Sequence, residues 1–225
     1  MNRVDTKFLF PRKKLTDIIF QLKDHYHILE IAHKRIFRYD TLYFDTPERL
    51  LYHQHLRGEL TRYKIRTRRY VDTDTGFFEV KSRNNKYRTI KNRIQVSEID
   101  EHLCLQSRQF LSQQLPHLPL KLDPVLWVYY HRFTLINKNV PERVTFDLNL
   151  WFRWQHTSQA YPHLAIAEVK QEHTLHTPFL ELMKKMEIRQ GGISKYCLGL
   201  SSLEPHLRRN TFKPALSKIN HLQEY

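Results

Sequence analysis

The chain carries 225 residues, 37 of them Lys or Arg against 23 Asp or Glu, for a formal net charge of +14. A hydrophobic content of 40% and a mean hydropathy of −0.61 describe a folded chain with a modest core, and the charge surplus points to an anionic partner: nucleic acid, phosphate compounds or an acidic membrane surface. Two cysteines without a CxxC pair exclude a disulfide framework, no run reaches the ~18 apolar residues of a membrane span, and the N-terminus lacks a signal-peptide core, so a cytoplasmic protein is expected.

Residues 4–10 read as a first strand closed by Pro11, with Arg3, Asp5 and Lys7 on one face. Residues 12–26 carry Leu15, Ile18, Ile19 and Leu22 at helical spacing. Strands follow at 27–32 and 38–45. Residues 47–56 predict a short helix with Thr46 as N-cap and Pro47 at its start, closed by Gly58. Residues 62–70 and 77–81 predict a hairpin about a turn at 73–76, and Asn84-Asn85 signals a second turn before a strand over 87–96. A helix is predicted over 98–115, broken by Pro116 and Pro119. Strands over 125–136 and 143–154 flank a turn at 137–139. In the second of them Val144, Phe146, Leu148 and Leu150 alternate with Arg143, Thr145, Asp147 and Asn149. A strand over 164–171 puts Ile166, Glu168 and Lys170 on one face. A helix is predicted over 178–187, and Gly191-Gly192 opens the segment 193–199. Beyond Leu203 the chain is more polar and basic, and residues 204–225 are read as a C-terminal tail, loosely held or docked elsewhere. About nine strands in hairpin-like succession, with three or four helices, predict an α+β fold: an antiparallel β-barrel of about eight strands with helices packed outside.

The stretch that organises the chain runs from Arg62 to Arg93. On a strand, Arg62, Lys64, Arg66 and Arg68 share one face and Tyr63 and Ile65 take the other. Like charges at that spacing repel, so such a ladder needs water or a strong anion in front of it. The next two segments repeat the pattern: Glu79 and Lys81 share a face, as do Lys91 and Arg93. Exposed strands usually mix both signs of charge, so this nearly all-cationic set favours a cavity over a solvated face. There is no GxxxxGK[ST] and no GxGxxG, so phosphate would be held by side chains, for which the planar arginine fork is suited. The pairs His53/His55 and His173/His176 lack zinc spacing. No Ser-His-Asp or Cys-His constellation suggests a covalent enzyme. Tyr129, Tyr130, Trp151 and Trp154 read as core or barrel exterior rather than as base-stacking rings.

Nine segments in order resemble the VTC catalytic domain, the polyphosphate polymerase module of the triphosphate tunnel metalloenzyme superfamily. They are Asp5-Thr-Lys7, Leu42-Tyr-Phe-Asp45-Thr-Pro47, Tyr63-Lys-Ile-Arg66-Thr-Arg68-Arg-Tyr70, Phe78-Glu-Val-Lys81, Arg88-Thr-Ile-Lys91, Tyr130-His-Arg132-Phe133, Arg143-Val-Thr-Phe-Asp147, Ala167-Glu168-Val-Lys170 and Ile193-Ser-Lys195-Tyr196. The resemblance spans residues 3–200 and implies an eight-stranded antiparallel tunnel lined by basic residues, with acidic residues holding a divalent metal. It implies a tunnel domain over 1–203.

By motif, the resemblance assigns Arg66, Arg68, Arg132 and Lys195 to catalysis. Lys7, Lys64, Lys81, Lys91, Arg143 and Lys170 would grip substrate, and Glu168 would hold Mn2+ or Mg2+ with Glu79 and Asp147 as further oxygen donors. The implied reaction is transfer of the ATP γ-phosphate to a growing polyphosphate chain. The expected partners are ATP and polyphosphate or triphosphate, with no specific nucleic acid; a separate membrane-protein partner and the oligomeric state stay open. Hydrolase and cyclase cousins begin Glu-x-Glu-x-Lys, where this chain has Arg3-Val-Asp5-Thr-Lys7. That departure fits the polymerase type better. An inorganic triphosphatase of the same fold and a non-catalytic polyphosphate- or RNA-binding module stand as alternatives.

Overall fold

The computed structural model describes residues 4–83, 89–117, 121–173 and 175–224. The turn at Asn84-Asn85, and with it Arg3, Tyr87, Arg88 and Pro119, lies outside the described residues. The elements in order are β1 (Val4–Pro11), α1 (Leu15–Leu22), β2 (Tyr26–Ile28), β3 (Phe37–Asp45), α2 (Leu50–Leu56), β4 (Arg62–Tyr70), β5 (Thr75–Arg83), β6 (Thr89–Val96), α3 (Leu105–Gln114), β7 (Asp123–Asn137), β8 (Glu142–Trp154), β9 (Thr157–Tyr161), β10 (Leu164–Gln171), α4 (Pro178–Lys185), α5 (Lys195–Leu203) and α6 (Lys213–Gln223).

The strands form one antiparallel sheet along the path β1-β10-β8-β7-β3-β4-β5-β6, with β2 added to β7 and β9 to β8. Among the described residues no ladder joins β1 to β6, so the barrel is not closed by backbone hydrogen bonds. The two ends of the path face a shared space: Lys81 on β5 lies within electrostatic reach of Asp5 and Lys7 on β1. Among the described residues, no helix is long and apolar enough to cross a membrane.

Alternation along the strands divides apolar from polar faces. On one outer side Phe8, Phe133, Val144, Phe146, Ala165 and Ala167 form a core under α1 and α4. On the other, Leu42, Phe44, Ile65, Phe78 and Val80 pack under Leu111 and Leu115 of the α3 region. A third cluster joins Tyr43, Tyr130 and Ile166 to Tyr196, Leu198 and Leu200 of α5, so this helix packs on inward-pointing strand residues. Gly199 permits that approach, because a Cβ there would lie 2.6 Å from Leu126 and 2.7 Å from Phe152. The buried Glu142 carboxylate accepts hydrogen bonds from Tyr26, Gln171 and Thr177, tying β2, β8 and β10 to the start of α4.

Several local expectations are corrected. The helix expected over 12–26 is a 3-10 turn, Arg12–Lys14, followed by α1, and Tyr26 already belongs to β2. The helix expected over 98–115 begins only at Leu105. The α2 cap is shared: Thr46 Oγ1 accepts from Leu50 N at 3.1 Å, but the Asp45 carboxylate takes Leu51 N at 2.8 Å and Tyr52 N at 3.0 Å. Asn149 has a positive φ of 52° where the β7–β8 register shifts, which reverses the parity of β8. Leu148 therefore packs outside and Leu150 joins the α5 cluster. Strand β9 was not anticipated. The basic segment after Leu203 forms α6, with Ile219 fully buried in the α5 cluster.

Candidate functional site

The site is the inward face of the sheet. The β4–β5 ladder places Arg66 opposite Glu79 and Lys64 opposite Lys81, and across β5–β6 Glu79 faces Arg93 and Lys81 faces Lys91. On the far side Lys7 stands opposite Glu168 and Asp5 opposite Lys170, while Arg132 faces Asp147. Lys195 joins them from the first turn of α5, whose N-cap Ser194 accepts a hydrogen bond from Cys197 N at 3.1 Å.

Two buried carboxylates organise these cations. Glu79, 1% exposed, pairs with Arg66, whose Nε lies 2.7 Å away, and with Lys91. Burial alone would raise its pKa, but Arg66, Arg68 and Lys91 hold it at about 2. Asp147, also 1% exposed, accepts a two-pronged contact from Arg132 at 2.5 and 2.8 Å and a further one from Lys195. Burial opposes its ionisation too, yet Arg132 and Lys195 hold its pKa well below the usual carboxylate range. Both carboxylates serve as counter-ions here, each engaged by two cations.

Between the two centres lies an aromatic stack. Tyr39 and Tyr130 are parallel at 5.0 Å, and Arg68, Arg132 and Lys195 lie over them within 5.8 Å. Arg68 is 7% exposed and donates to Thr41 Oγ1 at 3.1 Å. The Tyr130 hydroxyl is buried and unpartnered among the described residues. Tyr43, 4% exposed, accepts from Arg66 at 3.1 Å.

The lysines of the interior lack sufficient counter-charge. Burial lowers the pKa of Lys64 and of Lys170 to about 8, and it lowers Lys7 and Lys81 as well. Their electrostatic neighbours place them in one space: Lys7 feels Lys195 and Asp147, Lys64 feels Lys7 and Lys81, and Lys170 feels Asp5 and Arg132.

Glu168 points into this interior and contacts Lys170, which also lies 3.8 Å from Asp5. Two carboxylates thus converge on one cation position, and the described residues hold no group of three or more metal-ligating side chains. Such a pair suits an ion that takes one or two protein carboxylates and completes its shell with substrate phosphate and water. Arg143 keeps the parity of Asp147 but is exposed, and Lys91 and Arg93 lie on the exposed edge strand. Arg69, of opposite parity, is exposed and pairs with Asp74.

Sequence reading gave no role to Tyr39 and Tyr43. The signal was present in residues 37–45, where Tyr39, Thr41 and Tyr43 alternate with the apolar Leu42 and Phe44 side.

The VTC domain model matches residues 2–204. A putative adenylate cyclase from Bacillus halodurans superposes with a TM-score of 0.53 at 14% identity, covering 86% of this chain and 96% of that one. A putative adenylyl cyclase from Hippeastrum, described as having a dominant triphosphatase activity, gives 0.53 at 11% identity, covering 90% and 97%. At these identities the likeness is one of fold. The search of curated proteins gave no match.

Proposed function

The chain belongs to the VTC domain family, and from that premise we propose that it is an ATP-dependent polyphosphate polymerase. It transfers the γ-phosphate of ATP to a growing polyphosphate chain within the cationic interior, with residues 1–203 as the working domain, and acts in the cytoplasm. The observation that supports this best is the convergence of Lys7, Lys64, Lys81 and Lys170 with Arg66, Arg68, Arg132 and Lys195 in one interior whose buried carboxylates are too few to neutralise them. A polyphosphate supplies the missing negative charge.

Phosphoryl transfer asks mainly for positioning and charge neutralisation. A terminal polyphosphate oxygen is already ionised near neutral pH, so it attacks the γ-phosphorus without a general base. The new P–O bond forms as the bond to the β–γ bridging oxygen breaks, and ADP leaves with that electron pair. Arg66 and Arg68, about 7 Å apart along β4 at ~3.4 Å per residue, would hold neighbouring phosphates. Arg132 and Lys195, fixed by Asp147, would meet the charge that shifts toward the leaving oxygen. Glu168 and Asp5 would hold Mn2+ or Mg2+, which would supply positive charge to offset that of the phosphates.

The triphosphatase reading differs only in its acceptor, water, and draws on the activity described for the Hippeastrum protein. Incubation of the purified protein with ATP and Mn2+, resolved on a gel, separates the readings. Long phosphate chains support the polymerase, free phosphate alone supports the hydrolase, and intact ATP leaves a polyanion-binding module.

A further inference from the structure

Tyr43 sits at the centre of this interior with half of its hydrogen-bonding capacity used. The residue is 4% exposed, and its ring lies 5.1 Å from that of Tyr196 on α5. Its oxygen accepts from Arg66 Nη1 at 3.1 Å. The phenol's own proton meets no acceptor among the described residues. A buried donor without an acceptor is costly and uncommon in folded proteins. The groups around it decide what would satisfy it. Lys64, Arg66 and Arg68 face it from β4, Lys7 from β1 and Lys81 from β5. The nearby carboxylate, Glu79, is already taken by Arg66 and Lys91. The other groups named around the hydroxyl are cations, and the acceptor that suits such surroundings is an anionic oxygen.

We propose that Tyr43 is a phosphate-contacting residue: its O–H donates to an oxygen of the phosphate held by Arg66, and loss of that proton makes the same oxygen a competitor for Arg66. The proposal rests on the reading of the interior as a phosphate site. Its second half has independent support in the balance of forces on the phenol. Burial pushes its pKa up, but Arg66, Arg68 and Lys64 pull it down to about 8. An arriving phosphate would repel a tyrosinate and draw the proton back, so binding in mildly alkaline solution takes up a proton at this residue.

The test titrates the metal-free protein with inorganic tripolyphosphate at pH about 8.5 while reading the tyrosinate absorbance band. Lys64 and Lys170 titrate in the same region but do not absorb there. Burial raises Tyr39 and Tyr52 to about 12, so they stay protonated. The wild-type band should fall by the equivalent of about three-quarters of a tyrosinate as the site saturates. Tyr43→Phe, checked for its fold by its thermal melt, should show no fall. It should also bind tripolyphosphate about tenfold more weakly at pH about 6.5, the low end for a hydrogen bond to a charged acceptor. A wild-type protein that binds without the fall, or a Tyr43→Phe variant that binds as tightly, overturns the role of Tyr43. A wild-type protein that does not bind tripolyphosphate at all overturns instead the phosphate site on which the proposal rests.

Discussion

Arg66 and Glu79 face each other across β4 and β5, and the guanidinium reaches one oxygen of a carboxylate that is 1% exposed through both Nε, at 2.7 Å, and Nη2, at 2.6 Å. The pair has two consequences of opposite sign. It holds the Arg66 fork in place for an anion, and it makes the fold depend on a cation that repulsion along β4 would otherwise disfavour.

Arg66→Ala is therefore expected to lose at least ~100-fold in turnover, the scale of removing one donor aimed at developing charge. Viewed along β4 alone, its removal would relieve repulsion and hold or raise stability. With Glu79 behind it the sign reverses: an uncompensated buried carboxylate costs about 3 kcal/mol, reduced here by Lys91 and Arg68. A denaturant titration should show the loss, and adding Glu79→Gln should recover part of the stability without recovering turnover. A single variant as stable as wild type would show that Lys91 alone neutralises Glu79.

Arg69→Ala is the matched control on the same strand. Arg69 is exposed on the outer face and pairs with the exposed Asp74, an interaction worth ~0–1 kcal/mol. Turnover and melting temperature should both stay near wild type. A loss equal to that of Arg66→Ala would mean that net charge, not placement, governs binding.

Period-two alternation made much of this legible. It separated Arg66 from Arg69 and put Glu168 and Lys170 on one face, because strand geometry forces those parities wherever the ladder is regular. It failed at Asn149, where one extra residue on β8 exchanges inside and outside. It also gave no account of partners. That Glu79 belongs to Arg66 and Lys91, and Asp147 to Arg132 and Lys195, follows from register and from the docking of α5, neither of which a single strand encodes. The α3 start at Leu105 was hidden for a local reason: Ile99 and Leu103 are apolar positions that suit a helix but pack against the Ile65, Phe78 and Val80 cluster without one.

The pH dependence of stability carries its own signature. Glu79 has its folded pKa lowered to about 2, and Asp147 is lowered further. Their contribution is complete above the unfolded carboxylate pKa and is lost as pH falls from about 4.5 toward 2. Lys64, Lys170 and Tyr43 are each lowered to about 8. Between that value and their unfolded pKa values the unfolded chain binds more protons, so stability rises with pH from about 8 to 10. Melting of the phosphate-free protein should follow both trends. Saturating tripolyphosphate, which favours the protonated forms, should flatten the alkaline rise; a rise unchanged by tripolyphosphate would place these groups outside its reach.

Glu168→Gln removes a charge without changing shape. Turnover should fall to background with Mn2+ or Mg2+ while the fold persists, and the metal dependence of the residual rate should disappear. Because Lys170 then loses a partner and keeps the more distant Asp5 at 3.8 Å, metal-free affinity for tripolyphosphate should hold or increase. Wild-type turnover in this variant would leave Glu168 as an ion-pair partner alone.

The last prediction concerns how Lys195 is aimed. The next residue, Tyr196, is 1% exposed and donates its hydroxyl to Asp45, a fully buried carboxylate that also accepts from the backbone of Thr46, Leu51 and Tyr52. One carboxylate therefore fastens the first turn of α2 to the first turn of α5, and Lys195 leaves that turn toward Asp147. Tyr196→Phe removes one donor and leaves Asp45 three backbone partners, so the stability loss should be modest, about 1 kcal/mol. Asp45→Ala strands three amide groups and should cost more, about 3 kcal/mol. If the link aims Lys195, Tyr196→Phe should also lower turnover by about tenfold or more, since small displacements of a catalytic group are expensive, with little change in tripolyphosphate affinity. In the background of Lys195→Ala the same substitution should then have no further effect on turnover. Independent losses in the double variant would show that Tyr196 acts on the fold and not through Lys195.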